Sequence, residues 1–411
     1  MKIAIISLVF PPESGAAKYP ADLALQLAAS EHSVSIVTGF PSYPKGMVFP
    51  GYKKRILDKT VWREKIRLHR VWLYTSPKRD SFLHRLLHYL SFTFSAIYGT
   101  LALPKQDVIF VFTPPYFLTF AGWMVKIITG AKLVVDAQDF WPEAPIALGM
   151  IRNSLLIRFL LWTERLFYKK CDLIIALSPV MKNKIAARGI PEEKIAVVYN
   201  WADLTGRTAS SNEDLRRVLG LEDKFIFLFA GNFGQAQGLS VFLNTADKLR
   251  QETKIHFIFL GDGIEKEKLQ NIAAQKNLSN VSFVNTVSAD EVFNYYALAD
   301  VLISHLIPYP HREAAIPSKT QGYMASGKPI ISAVAGATAE IITHANCGWN
   351  VKPDDSEAMA KAVLAAIETP PEELNNLGAN GRRFAEQNFN MSEQCKKIEQ
   401  ILIQLRNNPP K

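Results

Sequence analysis

Ile316-Pro317-Ser318-Lys319-Thr320-Gln321-Gly322-Tyr323-Met324-Ala325-Ser326-Gly327-Lys328-Pro329-Ile330-Ile331 spells a short helix that closes onto a buried strand. Ile316-Pro317-Ser318 reads as the helix entry, with a hydroxyl suited to capping free backbone N–H groups, and Lys319 falls in the first turn. A cation there opposes the helix dipole unless an anion joins it. Met324-Ala325 packs, Gly327 ends the helix, and Pro329-Ile330-Ile331 opens a strand. A helix N-terminus combined with Lys319 points to a clamp for a phosphate. The competing reading is a surface lysine on an ordinary strand-loop-helix.

Working outward, the same alternation continues on both sides. A strand at 225–230 leads into the loop Gly231-Asn-Phe-Gly-Gln-Ala-Gln-Gly238 and a helix at 239–250. A strand at 255–260 leads into the Gly261-Asp262-Gly263 turn, with further strands at 281–284, 301–304 and 329–333. The first half repeats this grammar, with strands at 2–7, 34–38, 108–113, 133–136 and 173–177 and a helix at 19–29. Two Rossmann-like halves with a break near 200–210 follow. The loop Phe10-Pro-Pro-Glu-Ser-Gly-Ala-Ala17 joins the C-terminal end of the first strand to a helix, the edge at which such sheets bind ligands. From about 371 to 405 the pattern is helical, and this segment is expected to fold back across the first domain.

The 411 residues, 48% of them apolar, suffice for two domains or more. Cys171, Cys347 and Cys395 show neither metal-ligand nor disulfide spacing, which indicates a reducing compartment. The N-terminus lacks a signal-peptide core and reads as the first strand. Charge is lopsided. Residues 1–200 carry 26 Lys/Arg against 14 Asp/Glu, or +12, and residues 201–411 carry 21 against 24, or −3. A basic half of this kind meets an anionic surface, either membrane or nucleic acid.

Between residues 81 and 98, Leu83, Leu86, Leu87, Leu90, Phe94 and Ile97 form one helical stripe, with His84, Arg85 and His88 in the same turns. Lys53-Lys54-Arg55, Arg63, Lys65, Arg67, Arg70 and Lys78-Arg79 precede it. Basic residues beside an amphipathic helix suit an anionic leaflet, so peripheral attachment through residues 50–100 is expected. Residues 151–170, with Arg152, Arg158, Arg165, Lys169 and Lys170 around Trp162, form a second such segment. For both, the alternative is a helix packing one face on a sheet.

The ordered set Gly231 to Leu239, Gly261-Asp-Gly263, Tyr295-Tyr-Ala-Leu-Ala-Asp300 and Pro317-Ser-Lys to Gly327-Lys-Pro329 resembles the second domain of the family 4 retaining glycosyltransferases of GT-B fold. Phe40-Pro-Ser-Tyr-Pro-Lys-Gly46, Thr113-Pro-Pro115, Asp139-Phe-Trp-Pro-Glu-Ala144 and Val198-Tyr-Asn-Trp-Ala-Asp203 agree in the first half. The resemblance covers nearly the whole chain and is closest to bacterial L-fucosamine (N-acetylfucosamine) transferases of O-antigen and capsule assembly. It implies an α/β fold of two Rossmann-like domains facing each other across a cleft. Residues 1–203 would bind the acceptor, residues 204–385 the nucleotide sugar, and 386–411 would form the returning helix. Donor contacts would come from Gly231, Asn232, Gly234, Gln237, Gly261, Asp262, Ser318, Lys319, Gln321, Gly336, Ala337, Thr338 and Glu340. Gly15, Lys18 and Glu143 would meet the acceptor, and Lys319, Asp139 and Glu13 would serve catalysis.

The sequence also departs from the family pattern. An Arg and a Lys common in the glycine loop are replaced by Asn232 and Gln237, and paired glutamates eight positions apart fall on Ala314 and Gly322. Glu313 and Gln321 lie one residue away, a rotation of about 100° on a helix. The ribose contact is therefore displaced, with Glu340 as its candidate. The resemblance further implies UDP as the donor nucleotide, no cofactor, and a lipid-pyrophosphate-linked acceptor at the cytoplasmic membrane face, while the sequence shows no metal cluster of suitable spacing, so metal-independent transfer is expected. The alternatives are a nucleotide-sugar epimerase of the same shape and a basic nucleic-acid-binding protein. Lys319 is expected to be exposed, so that Lys319→Ala removes transfer and leaves the fold intact.

Overall fold

A computed structural model describes residues 1–411 apart from 64, 79–81, 141, 144, 145, 147–150, 203, 205–212, 289, 290, 309–311 and 408–411. The expected boundary at residue 203, with Arg79, Ser81 and Trp141, lies outside the described residues. The chain divides into two units. Unit 1 comprises residues 1–200, a short stretch ending at Ala314, and the chain from Met391. Unit 2 holds the remainder between Trp201 and Asn390.

Strands such as Ile3-Ala4-Ile5-Ile6 and Val108-Ile-Phe-Val-Phe112 are apolar at every position because helices cover both faces of a parallel sheet. Unit 1 contains β1 (Lys2–Ile6), β2 (Ser33–Gly39), β3 (Leu57–Trp62), β4 (Ile66–Val71), β5 (Val108–Phe112), β6 (Lys132–Ala137), β7 (Leu173–Ala176) and β8 (Ile195–Val197). They run in the order β3-β4-β2-β1-β5-β6-β7-β8, parallel except for the β3–β4 pair. Its helices are α1 (Lys18–Ala29), α2 (Phe82–Leu101), α3 (Phe117–Thr129), α4 (Ser154–Lys170) and α5 (Pro179–Ala186).

Unit 2 contains α6 (Glu213–Leu219), β9 (Phe225–Ala230), α7 (Ser240–Lys248), β10 (Ile255–Leu260), α8 (Lys266–Gln275), β11 (Val281–Val284), α9 (Val292–Leu298), β12 (Val301–His305), α10 (Ser318–Ser326), β13 (Ile330–Ala333), α11 (Ala337–Ala345), β14 (Gly348–Asn350), α12 (Ser356–Glu368) and α13 (Pro371–Asn388). The sheet order is β11-β10-β9-β12-β13-β14, all parallel, so the direction of winding reverses between β9 and β12. Ligands bind outside the strand C-termini at such a switch point. The core is aromatic: Phe227, Phe229, Phe233, Phe242, Phe257 and Phe259 are fully buried. Each contributes roughly 1.5–3 kcal/mol of hydrophobic stabilisation.

The last helix, α14 (Met391–Asn407), belongs to unit 1. It buries Cys395, Ile398 and Leu402, and Glu399 accepts a hydrogen bond from Ser30 Oγ (3.0 Å) and pairs with His32 Nε2 (2.9 Å) at the end of α1.

Two expectations about the basic half change. Residues preceding α2 form the β3–β4 hairpin, and Arg70 is not a surface cation. It is 4% exposed, and its guanidinium donates to the carbonyls of Gly39 (2.9 Å) and Pro11 (2.5 Å). The apolar stripe of α2 also splits. Leu83, Leu87 and Phe94 are exposed, whereas Leu86, Leu90 and Ile97 are partly buried, Ile97 against the core.

Candidate active site

In unit 2 the site is assembled from glycines that let two turns touch. A Cβ on Gly261 would lie 1.9 Å from the Gly231 carbonyl oxygen, and one on Gly231 (φ +146°) would meet Lys319 Cε at 3.0 Å. Phe233 N–H donates to the Asp262 carbonyl (2.7 Å), locking the loops together. Between them lies a hollow of about 330 Å³ whose lining includes Gly231, Asn232, Gly261, Asp262, Thr286 and Val287. Of the N–H groups in the Gly231–Gly238 loop, those of Gly231, Phe233, Gln237 and Gly238 serve backbone carbonyls. The Gly234 segment instead shapes the turn that carries Gln237.

Lys319 stands beside Gly231 on the second residue of α10. Its ammonium donates to Gln237 Oε1 (2.7 Å) and lies 3.5 Å from the Phe229 ring centroid. The residue is half-buried rather than exposed as expected, its ammonium held between Gln237 Oε1 and the Phe229 ring. Burial holds its pKa well below the ordinary 10.5. The cation is thus kept in a medium where an arriving anion interacts far more strongly than in water.

Sequence reasoning missed the residues that place it. The Tyr323 hydroxyl accepts a hydrogen bond from Ala230 N–H (2.8 Å) and fastens α10 to the end of β9. His305, the last residue of β12, donates from Nδ1 to the Gln237 carbonyl (2.7 Å), and its Nε2 accepts from Asp354 N–H (3.0 Å). Burial lowers its pKa, which favours this neutral form. Position at the C-terminal end of a parallel strand was the signal available for His305.

The other donor-side residues are placed as follows. Ser318 is the first helical residue of α10 and caps nothing; the Pro317 carbonyl receives Thr320 N–H (2.9 Å) instead. Gln321 is buried on α10. Gly336 (φ 73°) precedes α11, Ala337 and Thr338 are buried in its first turn, and Glu340 is exposed there. Of the two glutamate positions, Ala314 is fully buried in unit 1 and its carbonyl accepts from Ser178 Oγ (2.6 Å). Gly322 differs: a Cβ there meets nothing within 4 Å.

In unit 1 a cavity of about 560 Å³ opens at the strand C-termini, with Gly15, Tyr19, His88, Thr113 and Gln138 in its wall. Two carboxylates expected near it have other tasks. Glu13 is buried and clasps two loops, its Oε1 accepting from Ser42 N–H and Tyr43 N–H (2.8 Å each) and its Oε2 from Phe10 N–H (3.2 Å). Glu143 pairs with Arg188, which also binds Glu164 and lies 4.4 Å over the Phe140 ring. Neither lines the cavity, and both corrections have one cause: a carboxylate that accepts several buried donors is held as structure. Asp139 is exposed and accepts from Phe140 N–H (2.7 Å). Lys18 begins α1, its ammonium 5.0 Å from the Tyr19 ring centroid. Asp136, which ends near the cavity, is buried and pushed up to about 7 by burial, against a hydrogen bond from Gln138 Nε2 (2.8 Å). Among the described residues no group of three or more His, Cys, Asp or Glu is placed to hold a metal ion.

This arrangement can be set beside known proteins. Residues 14–201 match the model of the glycosyl transferase 4-like domain, and residues 211–384 that of glycosyl transferases group 1. The chain is 30% identical over 392 residues to the putative colanic acid biosynthesis glycosyl transferase WcaI of Escherichia coli, covering 90% of this chain and 93% of that one. The chain belongs to the family 4 glycosyltransferases. It is therefore a transferase enzyme. The probable glycosyltransferase WbjE of Pseudomonas aeruginosa is 24% identical over 69% of this chain and 71% of its own. Among solved structures, Anabaena HepE in complex with UDP superposes with a TM-score of 0.69 at 18% identity, over 98% of this chain and all of that one, which shows the GT-B fold.

For a family 4 transferase the open space at Gly322 has a consequence. Gly322→Glu is expected to fold, to gain roughly 0.5 kcal/mol from helix propensity, and to tighten UDP binding severalfold, the outcome expected from the ribose-binding glutamate that the resemblance implies at this position. Titration of UDP checks this, and weaker binding by the variant contradicts it.

Proposed function

We propose that the enzyme moves a sugar, an N-acetylated 6-deoxyhexosamine such as L-FucNAc, from a UDP-sugar to a lipid-linked saccharide with retention of configuration. The reaction belongs to assembly of surface polysaccharide of the O-antigen or capsule type. The observation that carries this reading is Lys319, a withdrawn ammonium at the switch point of a parallel sheet, beside a hollow walled by glycine turns. As the sugar–phosphate bond breaks, the leaving diphosphate gains charge, and Lys319 stabilises that state more than the ground state. The solved relative named as a UDP complex, and the colanic acid relative, support the nucleotide and pathway class. An epimerase gains no support from these relatives, and the basic residues of unit 1 surround apolar rather than nucleic-acid-reading side chains.

The acceptor side is read as the cavity of unit 1, with the protein held peripherally at the inner face of the membrane. Packed side by side, α2, α3 and α4 expose Leu87, Phe94, Ile127, Leu155, Phe159 and Trp162. Arg85, Arg152, Arg158, Arg165, Lys169 and Lys170 are exposed on or beside them. An apolar patch rimmed by cations suits an anionic leaflet, and no helix among the described residues is long and apolar enough to cross it. Trp162→Glu combined with Phe159→Glu is expected to lower partitioning onto anionic liposomes by at least about tenfold, from lost apolar burial and added repulsion. Equal sedimentation of both proteins with the vesicles contradicts the assignment.

The function itself is tested by offering the purified protein a panel of UDP- and GDP-sugars with a lipid-diphosphate-linked saccharide and weighing the products. Extension of the acceptor by one amino sugar from a UDP donor supports the reading. Interconversion of donors with the acceptor untouched overturns it.

A further inference from the structure

His305 uses both ring nitrogens on backbone partners, and those partners permit one tautomer. The Gln237 carbonyl can only accept and the Asp354 N–H can only donate, so Nδ1 carries the proton and Nε2 the lone pair (2.7 and 3.0 Å). The ring is buried with its centroid 6.1 Å from that of Phe242 on α7, and its Cε1 lies 2.6 Å from where a Cβ on Gly238 would stand. Gln237 is thereby gripped along its main chain. Its N–H donates to the Gly234 carbonyl (2.9 Å), its own carbonyl accepts from His305, and the preceding Ala236 carbonyl accepts from Ile307 N–H (3.1 Å). From this fixed backbone projects the side-chain amide, whose Oε1 holds the Lys319 ammonium (2.7 Å). An ordinary buried histidine would tie backbone to backbone and stop there. Here the tied residue is the one that carries Lys319.

We propose that His305 is a positioning residue for the diphosphate clamp: through the Gln237 carbonyl it fixes the amide that aims the Lys319 ammonium. The inference rests on reading Lys319 as that clamp. Nδ1–H is the half of the ring that matters for the donor. Nε2 anchors the loop between β14 and α12 and serves stability rather than diphosphate binding.

Two variants separate the halves of the ring. In His305→Asn the amide nitrogen reaches the place of Nδ1 and can still donate to Gln237, whereas in His305→Gln the longer amide reaches the place of Nε2 and serves Asp354 instead. Affinities of the full chain are measured for UDP and for uridine, which lacks the diphosphate. His305→Gln is expected to weaken UDP binding by about tenfold and to leave uridine within about twofold, while His305→Asn holds UDP within about threefold of the parent. Added to Lys319→Met, His305→Gln is expected to bring less than about a twofold further loss, because the group it positions is gone. In the empty protein, reductive methylation of Lys319, read by peptide mass spectrometry, is expected to run at least about fivefold faster in His305→Gln than in the parent or His305→Asn, as the ammonium leaves its seat. Where Lys319→Met itself weakens UDP binding, three results overturn the proposal: equal loss of UDP and uridine affinity in His305→Gln, equal UDP binding by the two His305 variants, or a full further loss in the Lys319→Met background. The clamp reading fails separately. If Lys319→Met binds UDP as tightly as the parent, the diphosphate lies elsewhere; faster Lys319 labelling confined to His305→Gln then upholds the positioning of Lys319 by His305, and unchanged labelling overturns it.

Discussion

Replacing Lys319 with methionine is expected to lower transfer by at least about a hundredfold, a loss of roughly 2.7–4 kcal/mol of transition-state stabilisation, in keeping with removal of one preorganised charge donor. The effect is expected to be large because Asn232 and Gln237, at the loop positions where the family resemblance implies cations, are uncharged, and Lys319 is the cation held against Gln237. Methionine keeps the packing of the stem against Gly231 and Phe229, so the thermal unfolding temperature is expected to stay within a few degrees of the parent. A desolvated ammonium is no asset to the empty fold. Near-normal turnover by Lys319→Met would sink the clamp assignment.

The same burial fixes the sign of a pH effect. In the free protein Lys319 releases its proton well below pH 10.5, and a neighbouring diphosphate restores the charged form. Binding therefore takes up a proton between those two values. UDP affinity declines as pH rises through that interval, by up to about tenfold per unit.

Arg188→Ala is expected to cost about 3–5 kcal/mol of unit 1 stability, enough to lower the unfolding temperature by several degrees. The guanidinium is 17% exposed, and it separates Glu143 from Glu164, which are 9% and 1% exposed. Without it two buried carboxylates face each other, and the segment holding Phe140 loses its anchor. Burial first, and Glu143 next, raise the pKa of Glu164 above the usual carboxylate range against the pull of Arg188. The folded chain therefore keeps a proton that the unfolded chain gives up near pH 4.5. Stability from this group is complete below that pH and is lost as pH rises toward the folded value. Glu164→Gln should flatten that slope at a cost under about 1 kcal/mol, because the neutral amide resembles the protonated acid. Thermal melts of both variants across pH 5–8 check this, and an unchanged melt for Arg188→Ala rules out the clasp.

The parallel strands were legible because strands buried on both faces are continuous apolar runs bounded by turns. The β3–β4 hairpin was not, since Arg67, His69 and Arg70 mask its alternation and read as a charged segment. Within the site, glycine spacing marked the two turns, and the helix entry at Ile316-Pro317-Ser318 put Lys319 in the first turn of α10, all consequences of local backbone geometry. What failed was long-range. Glu13 and Glu143 occupy positions suited to chemistry, yet the partners that make them structural lie 29 and 45 residues away. The withdrawal of Lys319 likewise depends on Gln237, 82 residues distant, and on Phe229 beneath it. No periodicity within one segment records such contacts.

The central claim, that Lys319 is the diphosphate clamp of a UDP-sugar transferase, is tested most directly by calorimetric titration of UDP into the parent protein and into Lys319→Met, in two buffers of different ionisation enthalpy. The account predicts net proton uptake by the parent, no uptake by the variant, and affinity weaker in the variant by about tenfold or more, the usual scale for one charge-assisted contact. Equal affinities with no buffer dependence in either protein would contradict it.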